Sequence, residues 1–216
     1  MLKIQPKNKL LFMGDSITDA GRSKPGGEGL FDPFGQGYVA FVNALLNSTY
    51  AEDQIRVVNK GNSGDTTRSL IARWGEDCIS QKPDWVSIMI GTNDVWRQFD
   101  MPLFPENHID LPEYEKNLLK MIESLKPVVK GLVLCTPFFI EPNLDDKMRK
   151  RMDEYSAVVS RLAKQYDAIF VDTQAAFDVY LKSNYPANIS WDRVHPNNVG
   201  HMIIARVFLK AVGYEF

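Results

Sequence analysis

The residues best suited to chemistry lie near the two ends of this 216-residue chain. Toward the carboxyl end, Asp192-Arg193-Val194-His195-Pro196 sets an aspartate three residues before a histidine, with a proline directly after it. Such a turn suits an imidazole held against a carboxylate, which would fix its tautomer and stabilise the imidazolium formed on proton transfer. The chain has only three histidines, so a general base working near neutral pH has few candidates. His201 falls in GHMIIARVF, which reads as helix, where a packed or exposed histidine is expected. His108 sits among aromatic residues and could touch a substrate, but nothing pairs it with an acid.

Toward the amino end, an apolar run leads straight into Gly14-Asp15-Ser16-Ile17-Thr18. A serine at the carboxyl end of a parallel strand can stand in the site crevice with backbone amides nearby. Taken alone, Ser16 serves equally well as a helix cap. A second run leads into Asn59-Lys60-Gly61-Asn62-Ser63-Gly64-Asp65-Thr66-Thr67, where Gly64 can bring a bare backbone N–H close to a substrate oxygen or simply turn the chain. Asp65 or Thr66 could cap the helix that follows. A third run ends in Gly91-Thr92-Asn93-Asp94, where Asn93 offers a side-chain amide donor or a turn residue.

These motifs need a scaffold, and the apolar pattern supplies one. Five runs of strand length occur at Leu10–Met13, Ile55–Val58, Trp85–Ile90, Leu132–Leu134 and Ala168–Val171. Helical spacing is expected over Tyr38–Leu46, Thr67–Ile79, Glu113–Leu125, Asp145–Tyr166 and Val199–Val212, with Pro112 in the first turn of the third. Strand-helix alternation with near-continuous apolar strands predicts an α/β fold, a parallel sheet covered on both faces, in one domain over residues 1–216. Its site should lie in the loops after the strands' carboxyl ends. Two long loops are expected. Asp19–Gly37 is punctuated by Gly21, Gly26, Gly27, Gly29, Gly35 and Gly37; Asp94–Leu111 mixes Trp96, Phe99, Phe104 and His108 with Pro102 and Pro105.

Bulk properties narrow the classes of function. A content of 44% hydrophobic and 24% charged residues is ordinary for a globular chain, and a net charge of −2 gives no reason to expect nucleic acid or an anionic membrane as partner. No stretch approaches the roughly 18 apolar residues of a membrane helix. The start, MLKIQPKNKLLFMGDS, lacks a secretory pattern, so a cytoplasmic protein is expected. Cys78 and Cys135 lie far apart, and Cys135 falls in the apolar run LVLC, which suits a buried structural thiol. No HExxH metal motif and no G-x-S-x-G nucleophile elbow occurs.

Taken together, GDSIT, the Gly64 segment, GTND and DRVHP resemble the SGNH hydrolases, the GDSL-type esterases, in the order that family shows them. A narrower group, the intracellular bacterial acetyl xylan esterases, is resembled through VVNKG, PDWVSIMIG, NDVWRQ, FVDTQAAF and WDRVHP. The resemblance implies a three-layer α/β/α fold with a five-stranded parallel, flavodoxin-like sheet. It implies Ser16 as nucleophile, His195 as base and Asp192 as the third triad member, with Ser16, Gly64 and Asn93 forming the oxyanion hole. It also implies removal of acetyl groups from xylan fragments by a homo-oligomer without metal or organic cofactor. Asp15, Trp96 and Trp191 are candidate substrate contacts; Trp96 and Trp191 offer ring faces to a sugar, or serve as core or subunit contacts. Arg97, beside Trp96, has no assigned role. A lysophospholipase or general short-chain acyl esterase keeps the same chemistry with another substrate. A catalytically silent carbohydrate-binding protein would leave the assembled chemical groups without a purpose.

Overall fold

Each of the five apolar runs becomes a strand. The computed structural model describes residues 1–216, with β1 (Lys9–Gly14), β2 (Arg56–Asn59), β3 (Trp85–Met89), β4 (Gly131–Cys135) and β5 (Ile169–Val171). All pair in parallel, in the order β2-β1-β3-β4-β5. Side chains alternate across the pleat, so β1 sends Leu10 and Phe12 to one core and Leu11 and Met13 to the other. Burying a side chain of this size contributes about 1.5–3 kcal/mol, which favours the unbroken apolar run Leu10–Met13 in β1.

The helices are α1 (Ser16–Asp19), α2 (Tyr38–Thr49), α3 (Thr67–Ala72), α4 (Trp74–Asp77), α5 (Thr92–Asp100), α6 (Leu111–Leu125), α7 (Lys147–Gln165), α8 (Thr173–Leu181) and α9 (Asn198–Ala211). Tyr38, Val42, Phe177, Ile204 and Phe208 place α2, α8 and α9 on one face of the sheet. Leu70, Trp74, Leu118, Met121, Tyr155 and Val159 place α3, α4, α6 and α7 on the other. This is the flavodoxin-like strand order, whose connections leave β1 and β3 toward opposite faces and open a crevice between their carboxyl ends.

Three expectations are corrected. The single helix expected over Thr67–Ile79 breaks at Arg73 (φ −100°, ψ 4°) into α3 and α4. Outside the helix, the Arg73 guanidinium meets Asp65 Oδ2 at 2.7 Å, the Lys60 carbonyl at 2.8 Å and the Gly14 carbonyl at 3.2 Å. The loop expected over Asp94–Leu111 is partly helix: α5 starts at Thr92, and Asn93 and Asp94 lie in its first turn. Its apolar stripe is thin, with Val95 fully buried and Phe99 40% exposed, so the helical period was hidden. Helix α8 was not anticipated; the Asp172 carboxylate caps it by accepting from the Ala175 N–H at 2.9 Å.

The Gly-rich segment beyond Asp19 does lack helix and strand up to Gly37. It is nonetheless tied to the edge strand. The Asn59 N–H donates to the Gly27 carbonyl at 2.7 Å, and the Asn59 amide reaches the Thr18 and Phe34 carbonyls at 2.7 and 2.9 Å. A Cβ on Gly27 would stand 2.0 Å from the Asn59 carbonyl oxygen, so only glycine permits this docking. The loop thereby covers an edge of β2 that would otherwise lie open.

Candidate active site

Ser16 opens α1 directly after β1, and His195 comes from the turn between the Pro186–Asn188 helical turn and α9. The chain ends meet here: Ser16 Oγ lies 2.8 Å from His195 Nε2, and His195 Nδ1 lies 2.6 Å from Asp192 Oδ2. A carboxylate only accepts, so Nδ1 carries the hydrogen and Nε2 is left to accept from the serine hydroxyl. Asp192 Oδ1 accepts from the backbone N–H groups of Val194 and His195 at 2.9 and 2.8 Å and from Ser190 Oγ at 3.2 Å. Burial raises the Asp192 carboxyl, but the hydrogen bonds from the His195 ring and these two amides outweigh it and hold the group below its ordinary 3.8.

The turn carries a cost that its surroundings offset. Arg193 lies in the left-handed region at φ +64°, which a side chain other than glycine adopts with strain. Its carbonyl accepts from the Ile140 N–H at 2.9 Å, its guanidinium pairs with Glu141 at 2.6 Å, and it stacks 4.8 Å over the Phe139 ring. The Phe139–Glu141 segment after β4 therefore clamps the turn bearing the base. The sequence offered no signal for this clamp beyond an arginine inside DRVHP.

Three unsatisfied hydrogen-bond donors come from the segments that follow β1, β2 and β3. Neither the Ser16 nor the Gly64 backbone N–H has an acceptor within the chain. Gly64 has φ +85°, and a Cβ built there would meet nothing within 4 Å, so glycine is required by conformation and the space before it is open. The flanking Ser63 donates both its N–H (3.0 Å) and its hydroxyl (3.1 Å) to Asp19 Oδ2, while the Asn62 N–H holds the Gly14 carbonyl at 3.0 Å. Asn93, 3% exposed, donates one Nδ2–H to the Asp65 carbonyl at 2.9 Å and keeps the other.

A serine at the end of β1 engaged by a histidine-aspartate pair, with amide donors from the ends of β2 and β3, matches a known pattern. The family model of the GDSL-like lipases and acylhydrolases fits residues 12–203, a span that takes in all of these groups. The chain belongs to the GDSL-like lipase/acylhydrolase family. It is 57% identical over 215 residues to the acetylxylan esterase of Geobacillus stearothermophilus, covering 100% of this chain and 98% of that one. The crystal structure of an acetylxylan esterase from that organism, also 57% identical, matches with a TM-score of 0.98 over 99% of this chain and 98% of the other. Catalytic mutants of the same enzyme, solved separately, replace a serine, a histidine or an aspartate with alanine. An α/β-hydrolase enzyme from the metagenome of Lake Arreo, Spain, 51% identical, matches with a TM-score of 0.97 over 99% of this chain and 98% of its own.

Not every residue expected at the substrate of this family member faces it. Asp15 is 1% exposed, and its Oδ1 caps α1 by accepting from the Ile17 N–H at 3.0 Å, so it supports the nucleophile from beneath. Asp94, fully buried, accepts from the Thr67 N–H and hydroxyl and so joins the start of α5 to the start of α3. Burial pushes both carboxyls up to about 7; each has opposing hydrogen bonds, and the Asp94 charge raises Asp15 further. Trp96 packs edge to face on the His195 ring at 5.7 Å and has the Arg97 guanidinium 4.6 Å over its own ring. A cleft of about 370 Å³ beside Asp192 includes Trp96, Phe99 and Phe139 in its lining, but Arg97 and Arg193 already cover faces of two of these rings. Trp191 is 92% exposed. Of the packed and exposed alternatives for His201, the structure shows the packed one: its Nδ1 accepts from the Tyr38 N–H at 3.2 Å, and burial lowers it to about 4. His108 instead bonds the Met101 carbonyl at 3.0 Å. Cys135 and Cys78 are buried, and burial pushes both thiols up to about 12.

Proposed function

We propose that this chain is a serine esterase that removes acetyl groups from acetylated xylo-oligosaccharides through an acyl-enzyme. The hydrogen-bonded line from Ser16 through His195 to Asp192 carries this reading, in a chain 57% identical over its length to an acetylxylan esterase. Ser16 Oγ attacks the acetyl carbonyl carbon as its proton passes to His195 Nε2. The oxyanion that forms accepts hydrogen bonds from the Ser16 N–H, the Gly64 N–H and the free Nδ2–H of Asn93. Collapse breaks the bond to the sugar oxygen, which takes the proton from His195 and leaves as a hydroxyl. Water then attacks the acetyl-serine, gives a proton to His195, and acetate departs as Ser16 recovers its hydrogen. Asp192 stays ionised throughout, stabilising each imidazolium without taking its proton.

Acetate release from acetylated xylo-oligosaccharides, run beside p-nitrophenyl acetate, butyrate and octanoate, tests the reading. Rapid release from the sugar that is lost in Ser16→Ala, with little octanoate cleavage, is expected. Octanoate cleavage with an inert sugar would overturn the substrate and keep the serine chemistry.

The reading extends to a cytoplasmic homo-oligomer. Supporting assembly, Trp191, Phe31 and Leu30 are 92%, 89% and 81% exposed, apolar side chains that a subunit contact would cover. No helix is long and apolar enough to cross a membrane. Light scattering on the purified protein is expected to give a multiple of the 24.6 kDa chain mass.

A further inference from the structure

Asn93 and Arg97 are four residues apart on α5 and so share a face, one turn above the crevice. Arg97 Nη2 donates to Asn93 Oδ1 at 3.2 Å, while the Asp65 carbonyl accepts from Asn93 Nδ2 at 2.9 Å. A guanidinium only donates and a carbonyl only accepts, so the two contacts agree on one amide orientation. Rotating the amide by half a turn would set its NH₂ against the guanidinium and its oxygen against the carbonyl. Both contacts would then be repulsive. Arg97 is itself fixed on two further sides, by an ion pair with Asp100 and by its stack 4.6 Å over Trp96.

The contact also has an electronic consequence. A positive charge bonded to the amide oxygen draws electron density toward it and leaves the remaining N–H more positive, the cooperative strengthening expected of linked hydrogen bonds in a dry site. With Asn93 only 3% exposed, little water competes for this effect.

We propose that Arg97 is a positioning residue for ester cleavage, locking and polarising the Asn93 amide so that its free N–H meets the oxyanion. This rests on the reading of Asn93 as an oxyanion donor, and it extends that reading to a side chain that touches neither substrate nor the reacting atoms.

A double-mutant cycle on p-nitrophenyl acetate separates the possibilities, with folding checked by thermal unfolding of each variant. Losing one oxyanion donor costs ~10²–10³ in kcat, so losing only its orientation in Arg97→Ala is expected to cost about tenfold in kcat, with KM little changed. Arg97→Lys, which keeps a cationic donor, should recover part of the loss. In the Asn93→Ala background the Arg97→Ala change should cost almost nothing, and the pH dependence of kcat/KM should keep its wild-type midpoint in Arg97→Ala. Equal losses in both backgrounds, or a shifted midpoint, would mean that Arg97 acts through Trp96 and His195 and would overturn the proposal. Wild-type kcat in Arg97→Ala alongside a crippled Asn93→Ala overturns this inference only. Wild-type kcat in Asn93→Ala overturns the underlying assignment of Asn93 as well.

Discussion

The side chains of Asp192 and His195 are 37% and 44% exposed on a turn between two helical segments, whereas Asn93, Asp94 and Asp15 are 3%, 0% and 1% exposed at the strand ends. The two halves are also held differently. The turn is pinned by its own Asp192 bonds and by one clamp from the Phe139–Glu141 segment. The donor half is laced through Asp19, Arg73, Asp65 and Arg97, which tie the ends of β1, β2 and β3 together. The difference follows from what each half must do. A base that passes protons to a leaving sugar and from an incoming water needs access to both. A donor that meets a developing charge needs fixed geometry and few competing waters.

Mutations in the two halves should therefore separate by size. Removing the nucleophile or base costs on the order of 10⁶ in kcat for serine hydrolases, so Ser16→Ala and His195→Ala should be inactive and their combination little worse. Retention of near-wild-type kcat by folded Ser16→Ala would break the assignment. Asp192→Asn should fall by about 10⁴, because an amide can no longer hold the imidazole tautomer or stabilise its charge. A wild-type rate there would remove Asp192 from the relay. Asn93→Ala, in the donor half, should lose ~10²–10³ and remain measurable by p-nitrophenyl acetate hydrolysis.

A smaller effect probes the clamp. Arg193→Gly relaxes the left-handed residue but deletes the Glu141 pair and the stack on buried Phe139. If geometry at His195 depends on the clamp, kcat should drop about tenfold, since an error well under 1 Å in a catalytic group already costs part of the ~10² that a full 1 Å misplacement can cost. An unchanged kcat would show that the Asp192 bonds alone hold the turn.

The strands, and the motifs that end them, were legible because buried parallel strands leave unbroken apolar runs and the chemistry sits directly after them. Ser16 and Asn93 could be located by that rule, and His195 by the scarcity of histidines and the aspartate three residues before it. The network around them could not. Arg73 looks like a surface position within a helical repeat until the helix breaks there, and Arg97 sits in a segment whose aromatic residues and prolines resemble a loop. Asp15 lies next to the nucleophile in sequence yet points into the protein, because the N-cap of so short a helix must accept from Ile17. Contacts of this kind depend on three strand ends arriving side by side, which no local pattern encodes.

The comparison also predicts opposite pH dependences of stability. Asp192 has a folded value below 3.8, so the stability it contributes is present above the unfolded value and is lost as pH falls through the lower folded one. Asp15 and Asp94 are raised from 3.8 to about 7. Between those values the unfolded chain has released protons that the folded chain retains, so the buried pair lowers stability progressively from about pH 4 to about pH 7. Asp15→Asn tests this with little structural disturbance, since an asparagine oxygen can still accept from the Ile17 N–H and only the ionisation is lost. Thermal unfolding should show the variant near wild type at pH 4 and more stable than wild type at pH 8, with each kcal/mol gained worth about 2–4 °C. A variant destabilised equally at both pH values would instead mean that the amide disturbs the cap beneath the nucleophile, and the buried half of the site would then be set by hydrogen-bond geometry rather than by ionisation.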